Sequence, residues 1–155
     1  MKKQNLLLAI IIGFLSLACS SDNNDEPQLS IKDLLTQGSP WTFNHYEMIN
    51  IIDAGSSNFT QTDIQNDVNS RENGTVITFN QNGTGSVFIP NEGTDNWDWE
   101  IINGNQLKLT FDGINSDILE NLNVSSNQLI IETESVSYDE DVQYEVLHNG
   151  KYYYE

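Results

Sequence analysis

The sequence predicts an all-β fold: eight or nine short strands joined in order as an antiparallel meander, entered through one short helix and closed into a barrel. Three observations carry this. From Trp41 onward apolar and polar residues alternate with period two, as in Trp97-Asp98-Trp99-Glu100-Ile101, Leu107-Lys108-Leu109-Thr110-Phe111 and Val142-Gln143-Tyr144-Glu145-Val146, the pattern of a sheet with one buried and one wet face. Asn73-Gly74, Asn82-Gly83, Asn103-Gly104, Asp112-Gly113 and Asn149-Gly150 are dipeptides that tolerate the positive φ of tight hairpin turns. An open meander of this length would expose two long edges, and closure removes them.

Taken in order, the chain begins with an address. Lys2 and Lys3 precede an apolar run from Leu6 to Ala18, too short for a membrane-spanning helix of about 20 residues and built like a secretory signal. The sole cysteine, Cys19, ends the run, and Leu15-Ser16-Leu17-Ala18-Cys19 resembles the bacterial lipobox, in which that cysteine becomes the lipidated mature N-terminus. Residues 1–18 are therefore expected to be a lipoprotein signal peptide. Residues 19–28 form an acidic, flexible tether behind the lipidated cysteine, ending near Pro27. Its Ser20–Glu26 stretch resembles the acidic export signals that follow the lipidated cysteine in some Gram-negative surface lipoproteins; a generic solvated tether is the plainer reading. These features place the protein at the outer membrane, lipid-anchored, on the cell surface or the periplasmic face.

Residues 29–155 form the expected barrel domain. Leu29–Gln37 reads as a helix with Ser30 as N-cap, Asp33 three residues on and Gly38 at its end. Ile31, Leu34 and Leu35 give it an apolar face that would close one end of the barrel. Strands are expected at Trp41–Ile51, Val76–Asn80, Ser86–Ile89, Trp97–Ile102, Leu107–Phe111, Ile118–Val124, Gln128–Thr133, Val142–Leu147 and Tyr152–Tyr154. The polar Asp53–Asn73 segment is too long for a hairpin loop, and loops of that length are commonly functional or mobile. Phe59, Ile64 and Val68 are its only large apolar residues; Ile64 and Val68, four apart, would form one face of a lightly held lid helix across a barrel mouth.

Composition narrows the partners. The 155 residues carry 6 Lys+Arg against 23 Asp+Glu, a formal charge of −17; without residues 1–18 four bases face the same 23 acids, giving −19. Phosphate backbones and anionic lipid surfaces are bound by cations that are scarce here, so no nucleic-acid partner is expected, and membrane contact is expected through the anchor alone. One cysteine excludes an internal disulfide framework. His45 and His148 lack a ligand pattern, and Asp139-Glu140-Asp141 lacks the glycine of a calcium loop, so no metal or cofactor is expected. Ser86 follows a turn into a strand and lacks the second glycine of a nucleophile elbow. With 23 acids some carboxylate pair always has glycosidase spacing, which carries no information. The chain reads as a monomer without enzymatic activity.

Several segments together resemble the lipocalin-like domains of bacterial surface and periplasmic lipoproteins: Gly38-Ser39-Pro40-Trp41 after a short helix, Ile77–Gly85, Trp99–Leu107 and Leu122–Leu129, in this order behind a lipobox. The resemblance spans about Leu29 to Glu155. It implies an eight-stranded up-and-down barrel with a cavity and no particular ligand. In such a barrel a small apolar or amphipathic molecule, or a glycan, would enter beneath Phe59, Ile64 and Val68 and meet Trp97, Trp99 and Tyr144, whose flat rings suit stacking. The alternative is a structural or protein-interaction lipoprotein whose barrel is filled by its own side chains. The anchor is tested directly: Cys19→Ala should abolish acyl labelling and accumulate uncleaved precursor, and undiminished labelling would refute lipidation at this residue.

Overall fold

The computed structural model describes residues 29–155; the expected signal peptide (1–18) and the expected tether with Cys19 (19–28) lie outside them. Within the described residues the order is α1 (Ile31–Gly38), β1 (Trp41–Asp53), α2 (Gln61–Arg71), β2 (Val76–Phe79), β3 (Thr84–Ile89), β4 (Gly93–Ile102), β5 (Gln106–Phe111), β6 (Asn115–Leu119), β7 (Asn121–Val124), β8 (Leu129–Asp139) and β9 (Tyr144–Tyr154). All strand pairs are antiparallel. The sheet order is β6-β5-β4-β3-β2-β1-β9-β8-β7, a meander whose last strand returns beside its first. No described helix is long and apolar enough to cross a membrane.

The strand count is nine, where eight were expected from the likeness. The difference arises at Glu120. Leu119 pairs with Leu107 on β5, whereas Asn121 pairs with Glu132 on β8. The single expected strand Ile118–Val124 is thus two, each with its own partner. Because β6 and β7 are also the two edges of the sheet, the chain itself joins the edges through one residue, and the sheet is a nearly closed barrel.

Local chemistry fixes the ends. Ser30 and Asp33 make a reciprocal capping box that starts α1, satisfying two otherwise orphan N–H groups. At its other end Trp41 Nε1 donates to the carbonyl of Leu35 at 2.9 Å. Gly38 is required there because a methyl group would overlap the Trp41 ring. Leu35 is fully buried, and α1 meets β2 and β7, so it covers one end of the barrel as its apolar face suggests. In the Asn103-Gly104 and Asp112-Gly113 turns both residues have positive φ, the type I′ geometry those dipeptides favour.

Asn149-Gly150 is no turn. Both residues lie within β9, with Gly150 opposite Met48 on one side and Thr133 on the other. The two expected strands Val142–Leu147 and Tyr152–Tyr154 are one, and the hairpin turn falls at residues 140–143, with Gln143 at φ +54°. Gly150 has a packing role instead: a Cβ there would run into the hydroxyl and ring of Tyr46. Gly150→Ala should therefore lower stability by about 1–3 kcal/mol through overpacking, read as an earlier urea midpoint; an unchanged midpoint would show that the Tyr46 ring moves aside freely.

Candidate functional site

The inward positions of β4 carry two expected ligand contacts. Trp97 and Trp99 are 7% and 5% exposed, and their rings meet other aromatics. Phe79 lies edge-on to Trp99 with centroids 5.3 Å apart, and Trp97 lies edge-on to Phe111 at 5.9 Å. Trp99 Nε1 donates to the carbonyl of Thr84 at 2.9 Å. The Lys32 ammonium of α1 stands 5.7 Å from the centre of the Trp99 ring, an attractive cation–π placement. Trp97 packs over Gly85, where any side chain would collide with its ring nitrogen. That nitrogen, Trp97 Nε1, is buried and has no acceptor.

The remaining candidates gather at the opposite end, around α2. Thr60 and Asp63 form a second capping box, and Ile64 and Val68 are fully buried on one face of the helix. Phe59 is half-buried against the same core. Asn69 grips the backbone of Tyr46, accepting from its N–H at 2.7 Å and donating to its carbonyl at 3.5 Å. Arg71 Nη1 donates to the carbonyl of Val136 at 3.3 Å. Ser57 Oγ donates to Asp139, and the half-buried Tyr144 donates to Asp53 at 3.1 Å, a bond that raises the pKa of the Tyr144 hydroxyl. The connection expected to be lightly held is therefore anchored along its length. Its scarcity of apolar residues suggests a loose segment, but polar bonds that composition does not reveal hold it down. The six candidates share one continuous core but separate into the Trp97–Trp99 group and the α2–Tyr144 group.

Beneath α2 lies a polar cluster that the sequence did not announce. Tyr46, Ser137 and His148 are all 0% exposed. The Tyr46 hydroxyl is 2.8 Å from His148 Nδ1, and Ser137 Oγ is 3.2 Å from His148 Nε2. Both ring nitrogens are engaged, and burial, assisted by the nearby Arg71 charge, lowers the His148 pKa and favours neutral imidazole. Burial likewise raises the Tyr46 pKa. A serine beside a histidine is the geometry of an activated nucleophile, yet here both side chains are sealed under α2. Their spacing, eleven residues apart across a hairpin, follows no motif, and only the β8–β9 register brings them together.

The outer wall carries open, polar grooves. One of about 460 Å³ crosses β3–β5 and is lined by Thr84, Ser86, Asn96, Asp98 and Thr110, with the candidate Trp97 and its neighbour Gly85 at its floor. Another of about 460 Å³ crosses β7–β9 beside Asn123, Glu132, Lys151 and Tyr153. A third, of about 360 Å³, sits at Glu120 where β6 passes into β7. Tyr153 is the outward member of the Tyr152–Tyr154 run; it stacks on His45 with ring centres 4.3 Å apart and donates to Glu47 at 2.7 Å. Among the described residues no group of three or more His, Cys, Asp or Glu is placed to hold a metal ion. No family model, characterised protein or solved structure matches this chain.

The buried histidine sets a pH dependence. Unfolded, His148 titrates near 6.5; folded, it stays neutral to lower pH. Above the unfolded value it contributes nothing. As pH falls below it, the unfolded chain takes up a proton that the native state refuses, and stability is lost until the depressed native pKa is reached, with a slope of at most about 1.4 kcal/mol per pH unit. Relative to His148→Gln, the native chain should lose stability between pH 7.5 and 5 in urea titrations; parallel curves would show that His148 takes its proton without hindrance.

Proposed function

We propose that this chain is a lipid-anchored extracytoplasmic interaction module: a packed barrel held at the outer membrane through Cys19, acting through its outer wall on a partner protein. The supporting observation is the content of the barrel. Trp41, Tyr46, Phe79, Trp97, Trp99, Leu107, Leu129, Tyr152 and Tyr154 are among the buried core residues, and a helix is fastened over each end. Space and access are instead found on the polar outer face. The address comes from the lipobox-like Cys19 and its acidic tether, and the placement as a lipocalin-like lipoprotein comes from the sequence likeness. The Ser137–His148 pair is read as structural because it is sealed from solvent.

A second reading is favoured by Trp97, which also borders the groove over β3–β5. The buried Trp97 N–H without an acceptor is a group that folding ordinarily satisfies. A polar atom of a small amphipathic ligand seated among Phe79, Trp97 and Phe111 would satisfy it, as the carrier hypothesis requires. Native mass spectrometry of the mature protein, with tryptophan emission followed during titration with lipids and glycans, separates the two. The interaction reading expects the mass of the lipidated polypeptide with nothing further bound, and unshifted emission. A co-purifying small molecule, or a saturable shift abolished by Trp97→Phe, would instead establish the carrier.

A further inference from the structure

The change of partner at Glu120 leaves the barrel wall split on one side. Before it, β6 pairs with β5 alone. Beyond Glu132, β8 continues from Thr133 to Asp139 and pairs only with β9. Among the described residues no strand is hydrogen-bonded along the second side of either stretch, although Arg71 and Ser57 reach β8 at Val136 and Asp139. Both edges rise from Glu120, so they bound a wedge whose apex is the groove of about 360 Å³ lined by Ile118, Leu119, Glu120, Glu132, Thr133 and Glu134. Asn149 also lines this groove, and its Oδ1 is buried without a donor.

A strand edge presents unpaired N–H and C=O groups, and proteins usually protect such edges with lysine, proline or a bulge. Neither stretch here, Asn-Ser-Asp-Ile-Leu or Thr-Glu-Ser-Val-Ser-Tyr-Asp, contains lysine or proline. One carbonyl, that of Val136, receives a bond from Arg71. Apolar side chains stand exposed along both edges: Ile118 at 50%, Val136 at 44% and Tyr138 at 52%. Exposed apolar groups beside free backbone are the two components of recognition by strand addition, in which main-chain bonds give affinity and alternate side chains give specificity.

Charge selects the occupant. Asp117, Glu120, Glu132 and Glu134 surround the wedge on a chain whose formal charge is −17. A second copy of this chain would bring the same carboxylates against them, and so would its own tether (Ser-Ser-Asp-Asn-Asn-Asp-Glu); like charges facing across an interface oppose both. We propose that the wedge between β6 and β8 accepts an extended basic segment of a partner protein, which adds as a strand with one face, carrying lysines or arginines, toward Asp117 on β6, and the alternate face, carrying apolar residues, beside Ile118, Val136 and Tyr138, where Glu134 adds its charge. This inference rests on the outer wall being the working surface and specifies where on it the partner sits.

The test uses the mature lipidated protein in detergent and a fluorescent eight-residue peptide alternating lysine with valine. Three results are expected together. Anisotropy rises saturably, amide hydrogen exchange slows at residues 115–119 and 133–139, and N-methylation of alternate peptide amides weakens binding at least tenfold. Asp117→Lys combined with Glu134→Lys, two exposed positions, should also weaken binding at least tenfold while leaving the thermal midpoint unchanged. Equal binding of the N-methylated peptide would reduce the effect to general charge attraction and overturn strand addition. Binding with protection elsewhere on the wall would overturn the wedge while sparing the interaction reading, whereas a small molecule retained in the barrel defeats that reading itself. Concentration-dependent dimerisation that protects the same amides without peptide would assign the wedge to a second copy and refute a basic partner.

Discussion

Tyr46 stands where β1, β9 and α2 meet, and its ring has room only because residue 150 is glycine. Three other interactions follow from that placement. Its backbone is gripped by Asn69, which docks α2. Its hydroxyl holds His148, which in turn reaches Ser137 on β8. Its ring lies 4.8 Å from that of Tyr152, centre to centre, and continues the aromatic packing toward Phe43 and Tyr154. One glycine therefore lets a bulky polar-tipped ring tie three strands and a helix together, with each polar atom engaged as burial demands.

The fold was legible where local chemistry decided it. Ser30 and Asp33 specified a helix start, Asn103-Gly104 and Asp112-Gly113 specified turns, and the alternation around Trp97 and Trp99 correctly placed those rings inward. Local signals mislead where long-range packing overrides them. Asn149-Gly150 has turn composition, but residue 150 is small for the sake of Tyr46, far away in sequence. Ile118–Val124 reads as one strand because nothing in its composition announces a change of neighbour at Glu120. The Ser137–His148 contact depends on register, which no short motif encodes. Among the candidate ligand residues, inward orientation was readable for Trp97 and Trp99. The burial of Ile64 and Val68 against β1 and β8 was not, because an apolar pair four residues apart fits a loose lid and a fastened one equally well.

The two helices do similar work with different means. The helix α1 is fixed mostly by apolar burial of Leu35 and by the Trp41 indole, with Lys32 drawn over Trp99. The helix α2 is held by two buried side chains and a set of polar bonds to backbone. The second arrangement depends on geometry more than area, since each bond contributes only about 0.5–1.5 kcal/mol net. The gap between β6 and β8 lies toward the α2 end, where Arg71 reaches the carbonyl of Val136.

The pairing of β1 with β9 bears on the order in which the barrel forms. Tyr46 and His148 are 102 residues apart in the chain, and Glu47 and Tyr153 are 106 apart. Contacts of such separation form late, because a long loop must close before they contribute. An emerging chain cannot close the barrel until β9 (Tyr144–Tyr154) is available. Until then β2 to β6 and the β7–β8 pair can form from neighbours in sequence, while β1 keeps one side unpaired. Closure of the wall is therefore one late event rather than a strand-by-strand addition.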